Sequence, residues 1–467
     1  MRAPGNRGQP LTAAKLELSD VIVVGNSSDD PFAIDVAFAV GQTEDVADLI
    51  SMKTFANSEF CPRFISDERD FSRIGRKLEG RTVVIVSTSS RLVSRQNLAM
   101  RTMMIARAAK ENGAADVVLV EPDLYYSAQD RGPRPDLGET MFERDEQDLK
   151  KFDGQPFTAK LYAEMLKLAG VDAVVTVHNH SYAVQTMFRE IFEGRFYNLI
   201  PYEIYVDYLR NSNIVKCGPD GEGLALCAPD KGARDFVKSL HEHLGLPKAK
   251  IILLDKERSG EREVDITLHP ESETSFEEIH GHDVVLLDAM VRTGSTVVKT
   301  CQFLKQIQPG RLVFGVTHFY ASEEGRQKLA NTAVDEILTL NTLPTILNRD
   351  EQGRLRRKLV VLKIEAWLAR ELSRIIGLPA RGGGSLYQID MSSKNPRFVR
   401  KIWSNEQLIG LHDDSGGAPA ATASPVVVEQ APPRGEGAHQ RDEQVRPEER
   451  RAVAGHLHDL EVRARNG

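Results

Sequence analysis

The chain predicts an α/β fold in which mainly parallel sheets are covered by helices on both faces, and three observations carry that reading. Short, almost wholly apolar runs recur along it: Val21 to Val24, Thr82 to Val86, Asp116 to Val120, Ala173 to Val177, Leu224 to Cys227, Lys250 to Leu254, Val284 to Leu287 and Leu312 to Val316. Amphipathic segments of helical length lie between them, among them Leu98 to Lys110, Thr158 to Leu168 and Ala233 to His243. A strand without a polar face must be covered on both sides, and alternating helices supply that cover through crossover connections. The third observation is that polar loops follow the apolar runs, and beyond the carboxyl ends of parallel strands is where such sheets bind ligands.

At 467 residues the chain can bury a large core, and its length suggests two or three domains with extra segments. Charged residues make up 27% and the formal net charge is -7, so the global basic character of a nucleic-acid-binding protein is missing and no nucleic-acid partner is expected. Cys61, Cys217, Cys227 and Cys301 are scattered without a CxxC pair, which fits a reducing cytoplasm better than a disulfide framework or a zinc site. The first residues lack the apolar core of a signal peptide and no apolar run is long enough for a bilayer, so a soluble, cytoplasmic protein with no membrane partner is expected. Composition divides the chain into a disordered leader (1–18), a periodic body ending near Leu378, and a linker with a mostly disordered tail (379–467) whose Gly, Ala, Pro and charge cannot offset ordering entropy. The RGGGS stretch from Arg381 to Ser385 follows no strand and reads as linker.

The most informative stretch is HDVVLLDAMVRTGSTVVKTCQ, from His282 to Gln302. An apolar strand delivers the chain to Asp288, and Thr293, Gly294, Ser295 and Thr296 then offer N–H groups and hydroxyls where a helix begins. A phosphate there meets unpaired donors and the positive end of the helix dipole, worth about 0.3 to 1 kcal/mol when exposed. An ordinary strand-to-helix turn capped by Thr or Ser is the alternative.

Four other loops carry polar groups of the right kind. EPDLYYSAQDR ends in Gln129, Asp130 and Arg131, an amide and a guanidinium suited to a base or phosphate, or a solvated turn. HNH places His178 and His180 on the same side of an extended segment, suited to a metal or a phosphate, although two histidines are more often loop or core residues and no third zinc ligand stands at a standard spacing. APDKGARD sets Asp230 at a strand end, where a carboxylate can hold hydrated magnesium or simply form a turn. DKERSGEREV carries Lys256 and Arg258 on what reads as a mobile loop, able to close over a polyphosphate, or an ordinary charged surface loop.

The order of these segments resembles the ribose-phosphate diphosphokinase (phosphoribosyl pyrophosphate synthetase) family, over roughly Val21 to Leu378. CPRFISDER is similar to the family's RF-S-D-G-E segment. VSTSS, QNLAM, YYSAQDR and QPFTAKLYAEMLKLAGVDAVVTVHNH follow, then LCAPDKGARDFVK for S-P-D-x-G-G, DKERSGEREV for D-K-R-R, the His282 to Gln302 stretch for D-D-x-x-x-T-G-G-T, and GVTHFYASEEGRQKL with EILTLNTLP. The resemblance implies two tandem phosphoribosyltransferase-like (type I) domains, 19–197 on the ATP side and 198–378 with the ribose 5-phosphate loop, the final helix packing back on the first. It implies transfer of the diphosphoryl group of MgATP to the anomeric hydroxyl of ribose 5-phosphate, releasing AMP, in service of nucleotide biosynthesis.

By the same resemblance Lys256 and Arg258 are catalytic, and Phe64, Glu68, Gln129, Asp130, Arg131 and His180 shape the ATP site. His180 and Asp230 support Mg2+, while Asp288 and Thr293, Gly294, Ser295 and Thr296 hold ribose 5-phosphate. In the family the Phe64 segment serves a neighbouring subunit, which implies a homo-oligomer. The chain departs from the pattern at Ala289 for a second acid, Arg292 before Thr293, Ala128 for an arginine, His178 for an aspartate and Glu257 for a cation. Without gaps, Ser66 rather than Asp67 aligns with the acid of the adenine segment. An acidic insertion runs from about Pro135 to Lys151, beside the nucleotide entrance. Two other readings stay open: a catalytically silent relative that binds nucleotides or partners, and, behind it, a phosphoribosyltransferase.

Overall fold

The structure is a computed structural model that describes residues 15–27, 30–65, 69–90, 92–258, 264–272, 274–320, 322–330, 334–379 and 384–390. The first half runs β1 (Val21–Gly25), α1 (Pro31–Val40), α2 (Val46–Leu49), β2 (Ile50–Thr54), β3 (Phe60–Phe64), β4 (Thr82–Val86), α3 (Arg95–Glu111), β5 (Asp116–Val120), α4 (Glu146–Lys151), α5 (Thr158–Ala169), β6 (Ala173–Val177), α6 (Tyr182–Ile191) and β7 (Phe196–Leu199). Its main sheet has the order β1-β4-β5-β6-β7, parallel throughout, while β2 and β3 form a separate antiparallel hairpin. All five residues of β1, β4 and β6 are buried, as expected for Val-rich strands covered on both faces.

The second half runs α7 (Tyr202–Asn211), β8 (Leu224–Ala228), α8 (Arg234–Leu244), β9 (Lys250–Arg258), β10 (Val264–Leu268), β11 (Asp283–Val291), α9 (Ser295–Gln306), β12 (Arg311–Phe319), α10 (Glu323–Ala330), β13 (Glu336–Leu340), α11 (Arg349–Gln352), β14 (Leu359–Lys363), α12 (Glu365–Ile376) and β15 (Gln388–Ile389). Its sheet order is β10-β9-β8-β11-β12-β13-β14-β15, parallel except at the two edges, where β10 and β15 pair antiparallel. The architecture is thus two tandem α/β units, each a mainly parallel sheet flanked by helices.

Three readings of the sequence change. β7 carries the first sheet to Leu199, across the boundary placed at 197, because Phe196 and Tyr197 are core residues. Beyond Leu378, read as linker, Tyr387 is buried with its hydroxyl donating to Asp207 at 2.7 Å, and β15 extends the second sheet. Lys256 and Arg258, read as loop residues, lie on β9 opposite Ile266 and Val264, because an antiparallel partner prolongs the strand beyond its apolar part. The leader to Ala14 and the tail from Met391 lie outside the described residues.

The last helix, α12, packs on α1, and Lys363 just before it donates to Asp35 of α1 at 2.7 Å. The larger core cluster accordingly contains residues of both sheets, among them Val84, Val118, Leu226, Leu287 and Leu338. No helix among the described residues is long and apolar enough to cross a membrane, and none of the four cysteines forms a disulfide.

Candidate functional site

β11 runs to Val291, past the point where the apolar run ends, because β12 is equally long and pairs with it as far as Phe319. Along such a strand alternate residues face opposite ways. Asp288 and Met290 both line a cavity of about 390 Å³, whereas Ala289 between them is buried. Arg292 and Thr293 then turn the chain into α9 through Gly294, whose φ of +70° lies in the left-handed region. Thr293, Gly294 and Thr296 line the cavity, and the first N–H groups of this 12-residue helix lack intrahelical partners. Ser295 is not part of the lining; its hydroxyl accepts from Lys328 at 2.8 Å.

The first sheet supplies the opposite wall. The loop after β5 brings Ser127, Ala128, Asp130 and Arg131 to the cavity, and the bend after β6 brings His180. Asp130 accepts from the Ser181 hydroxyl at 2.7 Å and from Arg131 Nε at 3.2 Å. Ser181 Oγ also accepts from Val184 N at 3.3 Å, capping α6, so one hydroxyl fixes both a helix start and a site carboxylate. Ser181→Ala is therefore expected to cost ~1 to 2 kcal/mol of stability, read by urea unfolding.

Within the second half, Asp230 follows β8 and accepts from Gly232 N at 3.0 Å, so it forms the turn and lines the cavity at once. Gln129 is not brought in, since its side chain accepts from the Thr158 hydroxyl at the start of α5. Phe64 is 4% exposed in the core of its own chain, and Glu68 lies outside the described residues. The side chains of Lys256 and Arg258 are likewise outside them.

The two histidines of HNH part company. His178 has φ of +46° and is buried, its Nδ1 paired with Thr317 Oγ1 at 2.7 Å and its ring 4.3 Å from that of Phe236. His180 opens on the cavity instead, which corrects the reading that put both on one side. The left-handed bend at His178 turns the two rings apart. Desolvation beside the cavity lowers the His180 pKa, with Asp130 opposing, although the residue itself is open to solvent. His178 is pushed further down, by burial and by its histidine neighbours.

A second polar cluster lies under the carboxyl ends of the first sheet. The fully buried Glu121 accepts from Ser87 Oγ at 2.9 Å, Tyr125 N at 2.8 Å and the Tyr162 hydroxyl at 3.1 Å, and Ser87 accepts from Asn26 at 2.9 Å. Burial pushes the Glu121 carboxyl up to about 8, against the lowering effect of those donors. Glu121 opens the EPDLYYSAQDR segment without being singled out there, and no motif marks Phe152, which lines the cavity beside Arg131.

Among the described residues no three His, Cys, Asp or Glu side chains converge as a metal cluster. The cavity instead holds the separate carboxylates Asp130, Asp230 and Asp288. That donor set fits magnesium, which keeps several waters and takes one or two carboxylates together with substrate phosphates.

A phosphoribosyl transferase domain model matches residues 211–342, which include β8 to β13 and the Thr293 to Thr296 turn. The chain is 24% identical over 279 residues to the ribose-phosphate pyrophosphokinase of Campylobacter jejuni, covering 60% of this chain and 77% of that one. It is 27% identical over 251 residues to the enzyme of the same name from Pyrococcus furiosus (54% and 75%), and 27% identical over 277 residues to ribose-phosphate pyrophosphokinase 2 of Saccharomyces cerevisiae (59% and 76%). The fold is similar to that of phosphoribosylpyrophosphate synthetase from Mycobacterium smegmatis, with a TM-score of 0.57 and 20% identity over 76% of this chain and 98% of that one. The matching domain model, the relatives and the two-sheet fold agree, and the chain is similar to the ribose-phosphate pyrophosphokinase (phosphoribosyl pyrophosphate synthetase) family, from whose members it has diverged.

Proposed function

We propose that the chain is a ribose-phosphate diphosphokinase, transferring the diphosphoryl group of ATP to the anomeric hydroxyl of ribose 5-phosphate to give 5-phosphoribosyl 1-diphosphate and AMP. The observation that carries this reading is one cavity lined from one half by Asp130, Arg131 and His180 and from the other by Asp230, Asp288, Thr293, Gly294 and Thr296. A two-substrate transfer between phosphorylated molecules needs such a place, where both can be held in line.

In this reading the helix start at Thr293, Gly294, Ser295 and Thr296 takes the 5-phosphate, with its N–H groups donating. Asp288 accepts from the ribose hydroxyls. Arg131 and His180 contact the nucleotide phosphates and Asp130 shapes the rest of this wall, which neither the buried Phe64 nor Gln129, held by Thr158, lines. A new bond forms from the anomeric oxygen to the β-phosphorus, the bond from that phosphorus to the α-bridging oxygen breaks, and the hydroxyl proton leaves to solvent. Lys256 and Arg258 offset negative charge on the group in flight. Asp230, with support from His180, would hold Mg2+, which would supply charge neutralisation to the phosphates. The reading includes a cytoplasmic setting and a homo-oligomer; the exposed Phe71 and Ile74, close after the Phe64 strand, support an interface there.

Incubation with ribose 5-phosphate, MgATP and inorganic phosphate is expected to release AMP, with none in the absence of ribose 5-phosphate. AMP no higher than that of a Lys256→Ala control would sink the enzyme reading. Ala128 in the cavity lining favours a second reading, a silent nucleotide-binding relative, which predicts ATP binding without AMP release.

A further inference from the structure

The segment between β5 and α5 folds back on Arg131. Its short helix α4 is capped by Asp145, which accepts from Asp148 N at 2.7 Å. Asp148 is buried, and its two carboxylate oxygens accept from two arginines, Arg131 Nη1 at 2.8 Å and Arg144 Nε at 2.7 Å. The Arg144 side chain is only 4% exposed, and it donates further to the carbonyls of Gly132 at 2.7 Å, Arg134 at 2.9 Å and Leu137 at 3.0 Å. The loop thus spends a buried cation on holding Asp148 in one place. Arg131, so engaged, also touches Asp130 at 3.2 Å and lies over the Phe152 ring, 4.7 Å from its centroid.

Arg131 and Phe152 both line the cavity. Two carboxylates lie on this one guanidinium, so its charge is already compensated where an anionic ligand meets it. A phosphate can gain the full attraction of Arg131 only by outcompeting Asp148, and Asp148 is tethered and desolvated. We propose that Asp148 is an internal anion that competes with the nucleotide's phosphates for Arg131, so that the insertion restrains binding on this side of the cavity. The inference rests on the proposed reading that this wall receives the polyphosphate of a nucleotide.

Calorimetric titration of MgATP into the full chain tests it, using wild type, Asp148→Asn, Arg131→Ala and the double variant. Asparagine keeps the shape and an oxygen for Arg131 but removes the charge. Asp148→Asn is expected to bind MgATP roughly fivefold more tightly, the equivalent of about 1 kcal/mol. Its affinity should also fall more steeply with salt than that of wild type. In the Arg131→Ala background the Asp148 substitution should give no gain, an outcome that a purely structural role for Asp148 would not produce. Unchanged or weaker binding by Asp148→Asn, with an unchanged melting temperature, overturns the inference and leaves the nucleotide reading standing. An equal gain with and without Arg131 overturns it as well. If no form binds MgATP while all remain folded, the nucleotide reading fails and takes the inference with it, whereas binding by Asp148→Asn alone supports both. Should Asp148→Asn not fold, Asp148→Ser, which also leaves Arg131 without that carboxylate, tests the same gain.

Discussion

A Gly294→Val variant is expected to lose about a hundredfold in kcat/KM for ribose 5-phosphate while keeping most of its affinity for ATP. The residue sits at φ of +70°, and a Cβ built there would stand 3.3 Å from Leu329 Cγ and 3.5 Å from its Cδ1. The left-handed backbone costs an ordinary L-residue roughly 1 to 2 kcal/mol, and a β-branched one is a genuine outlier there. The turn relieves that strain by moving, and a displacement of about 1 Å at a binding loop is enough for losses of that order. The ATP side is spared because Asp130, Arg131 and His180 come from the other sheet. Steady-state kinetics with each substrate varied separately checks the asymmetry. If both substrates suffer equally, the turn is a structural element of the whole cavity and not a ribose phosphate site.

Glu121→Gln is expected to remove the loss of stability with rising pH that the wild type owes to this carboxyl. The carboxyl is raised to about 8 from an ordinary value of 4.5, chiefly by burial. Below the lower value both folded and unfolded chains hold the proton, so nothing changes. Between the two values the unfolded chain has lost it and the folded chain keeps it, so folding binds a proton and stability falls as pH rises, levelling off above about 8. At 1.36 kcal/mol per unit the full window is worth ~2 to 5 kcal/mol, the upper figure applying if nothing relaxes. Glutamine cannot ionise, yet it can present its oxygen to Tyr125 N and its amide to the Ser87 and Tyr162 hydroxyl oxygens. Urea unfolding of both proteins at pH 5, 6.5 and 8 reads the difference, and parallel curves would mean that Glu121 is ionised in the folded protein.

Much of the scaffold was legible because buried parallel strands have a local signature. Thr82 to Val86, Asp116 to Val120 and Ala173 to Val177 are strands β4, β5 and β6 with the same limits, since each is a β-branched run bounded by polar residues. Helices α3 and α5 were read to within a few residues for the matching reason, an apolar stripe at helical spacing. β13 and β14 escaped notice although they are as buried as the others, and so did the partly exposed β2 and β3, whose pattern is weak.

The site was legible where chemistry sits in a strand-end loop, as with Asp130, His180, Asp230 and Thr293. It was not legible where a role depends on partners distant in sequence. Nothing local distinguishes His178 from His180, or Asp148 from any acid in a charged insertion; Thr317 and Arg131 decide those cases from 139 and 17 residues away.

The pairings of His178 with Thr317, and of His318 Nε2 with Val177 O at 2.9 Å, join strand ends of the two sheets. A cleft between loosely linked lobes must spend part of its binding energy on closing, and its lobes can melt one at a time. Here the two sheets are already joined, so a ligand bound between them meets a prearranged surface, and the halves are expected to unfold together. Any substrate that touches both walls then stabilises both halves against unfolding together.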